Sequence, residues 1–306
     1  FDFDSKTCHI EGGEEQTPIN NVNQEEVESG RINKEDIKLK KKLTYRPFND
    51  TIELVNIENQ SNVLPSTNSD LLSGQYEGGY KLWECSKDLY NEIVTKEEDD
   101  IKKRIQHTLV PFLNQKKQQD EYHFVDVGCG HGLPLLGCME IAQNYFKNNT
   151  TLKKIKMTFQ DYNKSVLEDV TIGNVQRFMT THKSKSLQQR IEPIYVYGSW
   201  KKLQSIQAKE KHSVDVIYTA DTIYNKAYLK DLYDYCNHLL KRNDGVAFIA
   251  AKMEYFGVGG TVRDFSNLVH KLAKEDHGQW TLVKEYRDGN SNIRGIWALS
   301  FPLLQS

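Results

Sequence analysis

No stretch of this 306-residue sequence approaches the 18 or more apolar residues that a membrane-spanning helix needs. The opening FDFDSKTCHIEGGEEQ has neither the basic start nor the apolar centre of a signal peptide, so neither a membrane span nor secretion is expected. Excess charge is also missing. Forty Lys and Arg stand against 42 Asp and Glu, a net charge of −2, which excludes a global basic field for nucleic acid. The aromatic positions are not interleaved with a basic stripe, so direct nucleic-acid binding is not expected. Cysteine is sparse: Cys8, Cys85, Cys129, Cys138 and Cys236 are odd in number, scattered and free of any C-x-x-C pair, as reduced thiols of the cytosol or nucleus would be. The nine histidines show no ligand spacing with a Cys or carboxylate, and no metal site is expected. At 38% hydrophobic residues and a mean hydropathy of −0.65, part of the chain must lie outside any core. The 12 Phe, 16 Tyr and 4 Trp still supply one.

Polar residues concentrate in 1–70, which reads as a mobile or partly ordered N-terminal extension. Its basic run Lys38-Leu-Lys-Lys-Lys42 has acidic neighbours Glu35 and Asp36 and reads as a solvated face. Leu43 to Val55 holds enough apolar and β-branched residues for a strand or two that pack on the body. From 71 to 306 strands and amphipathic helices alternate. Strands are expected at Tyr122–Val127, Ile155–Phe159, Ile194–Tyr197, Val214–Thr219, Val246–Ala251, Trp280–Tyr286 and Ile296–Phe301. Helices are expected at Leu133–Phe146, Lys164–Ile172, Lys226–Lys241 and Val262–Lys274. Such alternation predicts an α/β fold with a mostly parallel sheet covered by helices on both faces, and places function at the carboxyl ends of the strands.

The first of these strands runs into Gly128-Cys-Gly-His-Gly132. Glycines there let backbone approach a ligand at a helix N-terminus. The spacing G-x-G-x-G departs from the dinucleotide fingerprint G-x-G-x-x-G. Together with Asp126 it resembles the first motif of class I S-adenosylmethionine-dependent methyltransferases, which implies that Asp126, Gly128 and Gly130 meet the amino-acid end of that cofactor. His131 reads as a surface side chain of the loop. Asp161, at the end of the second strand, suits two ribose hydroxyls. Asn163 suits the N-cap of the next helix. Gly198-Ser199-Trp200 ends the third strand, where the indole could stack beside adenine or cap the sheet.

Five phrases narrow the resemblance. They are Tyr76-Glu-Gly-Gly-Tyr-Lys-Leu-Trp-Glu-Cys85, the glycine loop, Phe159-Gln-Asp-Tyr-Asn163, Asp221-Thr-Ile-Tyr-Asn225 and Ala251-Lys-Met-Glu-Tyr-Phe-Gly-Val-Gly-Gly260. Over Ser69 to Phe301 the chain resembles the eukaryotic protein-histidine methyltransferases that act on a large-subunit ribosomal protein. Phe1-Asp-Phe-Asp4 is similar to the Phe-rich start of these proteins, so little more than an initiator is expected to be missing. The resemblance implies a class I seven-stranded, Rossmann-like methyltransferase domain. It implies S-adenosyl-L-methionine as cofactor, a protein substrate, the tele nitrogen as acceptor, a monomer, and cytoplasmic and nuclear residence. Carried over by position, Trp83, Glu84, Cys85, Ser86, Asp126, Gly128, Gly130, Gln160, Asp161, Tyr162, Gly198, Ser199, Trp200 and Ala220 line the cofactor. Asp221 and Tyr224 face the target side chain, and Tyr255 to Gly260 shape the substrate side. Asp221 stands where the human-like form has Glu, and Ala220 replaces a more usual serine. From position alone, Asp221 is equally an N-cap of the helix at Lys226. Two other readings stay open: a lysine methyltransferase of the same seven-strand group, and a non-catalytic ribosome-assembly factor that keeps the fold.

Overall fold

The computed structural model describes residues 28–37, 43–57, 78–95, 110–111, 119–148, 152–182, 185–255, 259–287, 289 and 293–303. The basic run at 38–42, residues 76–77 of the first phrase and 256–258 of the last lie outside them.

The expected class I methyltransferase sheet is present, with one strand added. Its strands are β1 (Gly30–Ile32), β4 (Glu121–Val127), β5 (Lys154–Asp161), β6 (Ile191–Tyr197), β7 (Val216–Ala220), β8 (Val246–Lys252), β9 (Gln279–Tyr286) and β10 (Arg294–Ser300). They lie in the order β1-β6-β5-β4-β7-β8-β10-β9. β4 pairs in parallel with β5 on one side and β7 on the other, and the parallel run continues to β6 and β8. β10 is antiparallel to β8 and β9. The added strand β1, from the N-terminal extension, pairs antiparallel with β6. A separate hairpin, β2 (Tyr45–Pro47) and β3 (Glu53–Val55), comes from the stretch read as a strand or two.

Successive residues of a strand face opposite sides of the sheet, and the core divides accordingly. Phe124 of β4 belongs to one buried cluster with Leu89, Leu136 and Tyr218, whereas its neighbour Val125 belongs to another with Leu232, Tyr235 and Phe265. Each such buried side chain contributes about 2 kcal/mol of apolar burial. Helices α1 (Glu84–Val94) and α2 (Leu133–Asn148) supply the first side; α7 (Leu229–Leu239) and α8 (Val262–Asp276) supply the second. Among the described residues, no helix is long and apolar enough to cross a membrane.

Helices α1, α5 (Lys185–Arg190) and α6 (Trp200–Ile206) escape the periodicity. The expected helix at Lys164–Ile172 is instead α3 (Lys164–Val166) and a π-helical turn (Leu167–Thr171), which lead into α4 (Ile172–Thr181), a helix that the pattern does not mark. Val214–Thr219 begins two residues early, because Asp215 turns its carboxylate to the His123 amide and to Lys241.

Candidate functional site

The chain crosses from the β4–β5 side of the sheet to the β7 side, and a cleft opens at such a switch point beyond the strand ends. Here it holds a cavity of about 540 Å³. Three glycines with positive φ, Gly128 (+65°), Gly130 (+48°) and Gly132 (+71°), turn β4 into α2 beneath it. Gly130 also permits a close approach, since a Cβ there would lie 3.0 Å from the Gly79 carbonyl oxygen.

The end of β5 holds this loop. Gly128 N–H donates to Gln160 Oε1 (3.1 Å), Cys129 N–H to the Gln160 carbonyl (2.8 Å) and Gly130 N–H to Asp161 Oδ2 (3.0 Å). Gln160 is a strut between strands: its Oε1 also accepts from Trp200 Nε1 (3.0 Å), and its Nε2 donates to the Gly198 carbonyl (3.1 Å). Asp161 Oδ1 accepts the Asn163 amide (3.1 Å). The side chain of Asn163 makes no capping bond, contrary to the N-cap expectation; its backbone serves Asp161 instead. Ser199 caps α6, accepting from Lys202 N–H.

Asp126 is 1% exposed, and its Oδ2 has no hydrogen-bond partner among the described residues, yet the residue lines the cavity. Burial, with the Asp161 carboxylate beside it, pushes its pKa well above the ordinary 3.8. His131 corrects the surface reading. It is 2% exposed, with Nε2 2.9 Å from the Tyr80 carbonyl, and burial pulls its pKa down to about 4.

Across the cavity, Asp221 follows β7 with φ +56°, a left-handed conformation that Asp tolerates better than most residues. Its Oδ2 accepts from Cys85 N–H (3.2 Å) and its Oδ1 from the Tyr255 hydroxyl (2.9 Å). Burial raises its pKa, opposed by the Lys252 ammonium and by the hydrogen bonds it accepts. Lys252 Nζ pairs with Glu84 (2.9 Å) and lies 5.2 Å from the Trp83 ring centroid. The cap of the following helical turn is Asn225, whose Oδ1 accepts from Ala227 N–H; Asp221 does not serve there. Tyr224 meets Tyr255 edge to face at 6.4 Å. Of the YFGVGG loop, Gly260 donates its N–H to the Tyr224 carbonyl (2.7 Å) and leaves no room for a side chain beneath it.

The structure therefore brings Trp83, Ser86, Asp126, Gly128, Gly130, Asp161, Tyr162, Ser199, Trp200, Ala220, Asp221 and Tyr224 to one cavity. Glu84, Cys85, Gln160 and Gly198 stand behind its wall and hold the lining in place. Residues that sequence reasoning left out are Gly79 in the roof and Lys252 beside Asp221. Both lie inside quoted phrases, but nothing in their spacing marks them. Among the described residues no cluster of His, Cys, Asp and Glu could hold a metal ion.

No family model matches the chain. It is 32% identical over 229 residues to histidine protein methyltransferase 1 homolog of Dictyostelium discoideum, covering 74% of this chain and 59% of that protein. It is 29% identical over 263 residues to histidine protein methyltransferase 1 of Schizosaccharomyces pombe, covering 76% and 68%. Its relatives are histidine protein methyltransferases. The Bos taurus homolog is 33% identical over 226 residues, and the chain spans only 52% of it. The resemblance read from the motifs to the protein-histidine methyltransferases is thus borne out. The chain spans between half and two thirds of most of these histidine protein methyltransferases.

Proposed function

We propose that the chain binds S-adenosyl-L-methionine and transfers its methyl group to a histidine side chain of a protein. One observation carries the reading: Asp126 lines the cavity at the glycine turn, and one of its carboxylate oxygens, Oδ2, is buried with no partner among the described residues. An unpaired carboxylate is costly to bury, and an ammonium is the partner that would restore its charge. The amino-acid end of S-adenosylmethionine brings such an ammonium. In the glycine turn, Gly128 and Gly130, both with positive φ, present backbone and no side chain to that end of the cavity. Asp161 would hold the ribose: it stands at the end of β5 in the cavity wall, and a carboxylate is the stronger acceptor for hydroxyl donors. Trp200, oriented by its bond to Gln160, would flank the adenine, with Tyr162 beside it.

S-adenosylmethionine supplies a methyl group on a sulfonium centre. The protein must hold the acceptor and manage its proton. A lysine, with pKa about 10.4, costs about 4.6 kcal/mol to deprotonate at pH 7, whereas histidine at about 6.5 is already mostly neutral. What histidine needs is a choice between two nitrogens. Asp221 would accept the N–H of one, fixing the tautomer and stabilising the imidazolium that forms, and so leave the other to react. The charge on Asp221 is supported by Lys252 and by the donors Cys85 N–H and Tyr255 OH. Tyr224 supplies an aromatic wall for the ring. The names of the relatives support histidine as acceptor. The five-phrase resemblance supports a large-subunit ribosomal protein as the substrate and the tele nitrogen as the site.

The test treats large-subunit ribosomal proteins from cells lacking this protein with the recombinant chain and S-adenosylmethionine, then maps the product by fragment mass analysis. One methyl on a histidine is the expected result. A methyl on lysine would keep the cavity and discard the nucleophile argument. No methylation, together with no cofactor binding by calorimetry, would overturn the reading.

A further inference from the structure

A line of buried polar contacts runs to the cavity from a hairpin that contributes no atom to it. It begins in β3, where the Val55 N–H donates to Asn174 Oδ1 (2.6 Å). Asn174 lies on α4, fully buried, and its Nδ2 donates to the His131 carbonyl (2.9 Å) and approaches His131 Nδ1 (3.5 Å). His131 Nε2 in turn lies 2.9 Å from the Tyr80 carbonyl. A carbonyl only accepts, so Nε2 carries the proton and Nδ1 is the acceptor facing Asn174. Burial keeps the ring neutral, which preserves this tautomer.

The segment reached this way is the roof. Gly78, Gly79, Lys81, Leu82 and Trp83 line the cavity, and the Gly79 carbonyl lies directly over Gly130. Apolar packing follows the same route: Val55, Ile57, Tyr80, Val166 and Val170 form one cluster, joined by Leu43 and Tyr45. Gly173 lets the hairpin sit close, because a Cβ there would fall 2.5 Å from Leu43 Cδ1 and 3.0 Å from a Val55 methyl. Arg177 adds an ion pair to Glu53 at 2.6 Å.

We propose that Asn174 and His131 are positioning residues through which the β2–β3 hairpin holds the Gly78–Trp83 roof on the glycine loop, and so sets affinity for S-adenosylmethionine and its demethylated product. The proposal rests on the cofactor reading given above. Coupling between two sites is reciprocal: if the hairpin supports the ligand, the ligand must protect the hairpin. A part that merely stabilised the fold would leave affinity unchanged, and its amides would slow no more than core amides on the far face of the sheet.

The experiment measures S-adenosylhomocysteine affinity by calorimetry well below the melting temperature, and amide exchange at Val55 with and without that ligand. Asn174→Ala and His131→Leu are each expected to weaken binding by about ten-fold or more, roughly the loss of one buried hydrogen-bond partner. His131→Gln can still present an N–H to Tyr80 and should stay within about three-fold of the parent protein. Leu239→Ala, in the core on the far face of the sheet, should lower the melting temperature and leave affinity unchanged. In the unaltered protein, the ligand should slow exchange at Val55 more than at Leu239 on the far face. Affinity within about two-fold for both disruptive variants, or exchange at Val55 slowed no more than at Leu239, would overturn the proposal. The exchange measurement needs no variant, so a chain that fails to fold does not protect the idea. Failure of the unaltered protein to bind S-adenosylhomocysteine would overturn the cofactor reading and this proposal with it; normal binding with indifferent variants would remove this proposal alone.

Discussion

Asp221 Oδ2 accepts the Cys85 amide at 3.2 Å, so the residue that follows β7 caps a helix 136 positions earlier in the chain. Cys85 is the second residue of α1, and Trp83, at its N-cap, offers no side-chain acceptor of its own. An amide at that position has no partner inside the helix. Trp83 and Ser86 line the cavity, so the carboxylate assigned to the target also fixes the entry of the cofactor-side helix.

Asp221→Ala and Asp221→Asn should therefore differ. Alanine loses the cap, about 1 kcal/mol, and strands the Tyr255 hydroxyl, so both cofactor affinity and turnover should fall. Asparagine keeps an oxygen for the Cys85 amide and loses the charge together with the acceptor that faces the Tyr255 hydroxyl. Its affinity for S-adenosylhomocysteine should stay within about three-fold while turnover drops by about 100-fold or more. Calorimetry beside initial methylation rates separates the two; an Asn variant that keeps half its turnover would remove the carboxylate from the chemistry.

Tyr255→Phe deletes a hydrogen bond that favours ionised Asp221. Burial already holds that carboxyl above 3.8, and the loss of a donor raises it further. Turnover needs the ionised form, so the acid limb of the rate-against-pH curve should move to higher pH in the variant. An unmoved limb would mean that another group controls it.

Asp126→Asn should bind S-adenosylhomocysteine about 10-fold to 100-fold more weakly, at 1.36 kcal/mol per decade, because the ammonium loses its anionic partner. The unliganded fold should gain. With a folded pKa raised above 3.8, Asp126 keeps a proton that the unfolded chain has released, so its contribution falls as pH rises above 3.8 through the folded value. The Asn variant lacks that loss. Melting temperatures taken from pH 4 to pH 8 should show a smaller decline than the parent; equal slopes would contradict the buried-carboxylate argument.

Gln160→Leu removes bonds to Gly128, Trp200 and Gly198 at once. One buried and two half-buried groups left without this partner should cost about 2 kcal/mol or more. Denaturant unfolding would show it, and a change below about 1 kcal/mol would mean that the loop rests on its backbone bonds.

The site was readable because a parallel sheet delivers the ends of all its strands to one edge. Asp126, Asp161, Trp200 and Asp221 are far apart in sequence, yet each directly ends or follows a strand that the apolar pattern marks. What escaped was held by distant partners. α1 has no local cap, since its acceptor is Asp221. His131 looks like a polar loop residue until Asn174 and Tyr80 are placed on either side of it. Asn163 has the chemistry of a cap but spends its backbone on Asp161. The resemblance places Gln160 in the cofactor lining, whereas its part as a strut between strand ends follows from no spacing rule. β1 is three residues long and too short for alternation to mark it.

The π-helical turn at Leu167–Thr171 decides where this stretch can change length. A π turn holds one residue more than an α turn, and each residue advances an α-helix by about 100°. Thr171, at the end of that turn, donates its hydroxyl to the Gly130 carbonyl (2.6 Å), and three residues later Asn174 reaches both Val55 and His131. Deleting one residue between 167 and 170 would return the wide turn to ordinary winding and leave Thr171 and Asn174 on their bearings. Deleting Ile172 or Gly173 would instead carry Asn174 about 100° away from Thr171. Loss of a residue should therefore be tolerated in the wide turn and not between Thr171 and Asn174.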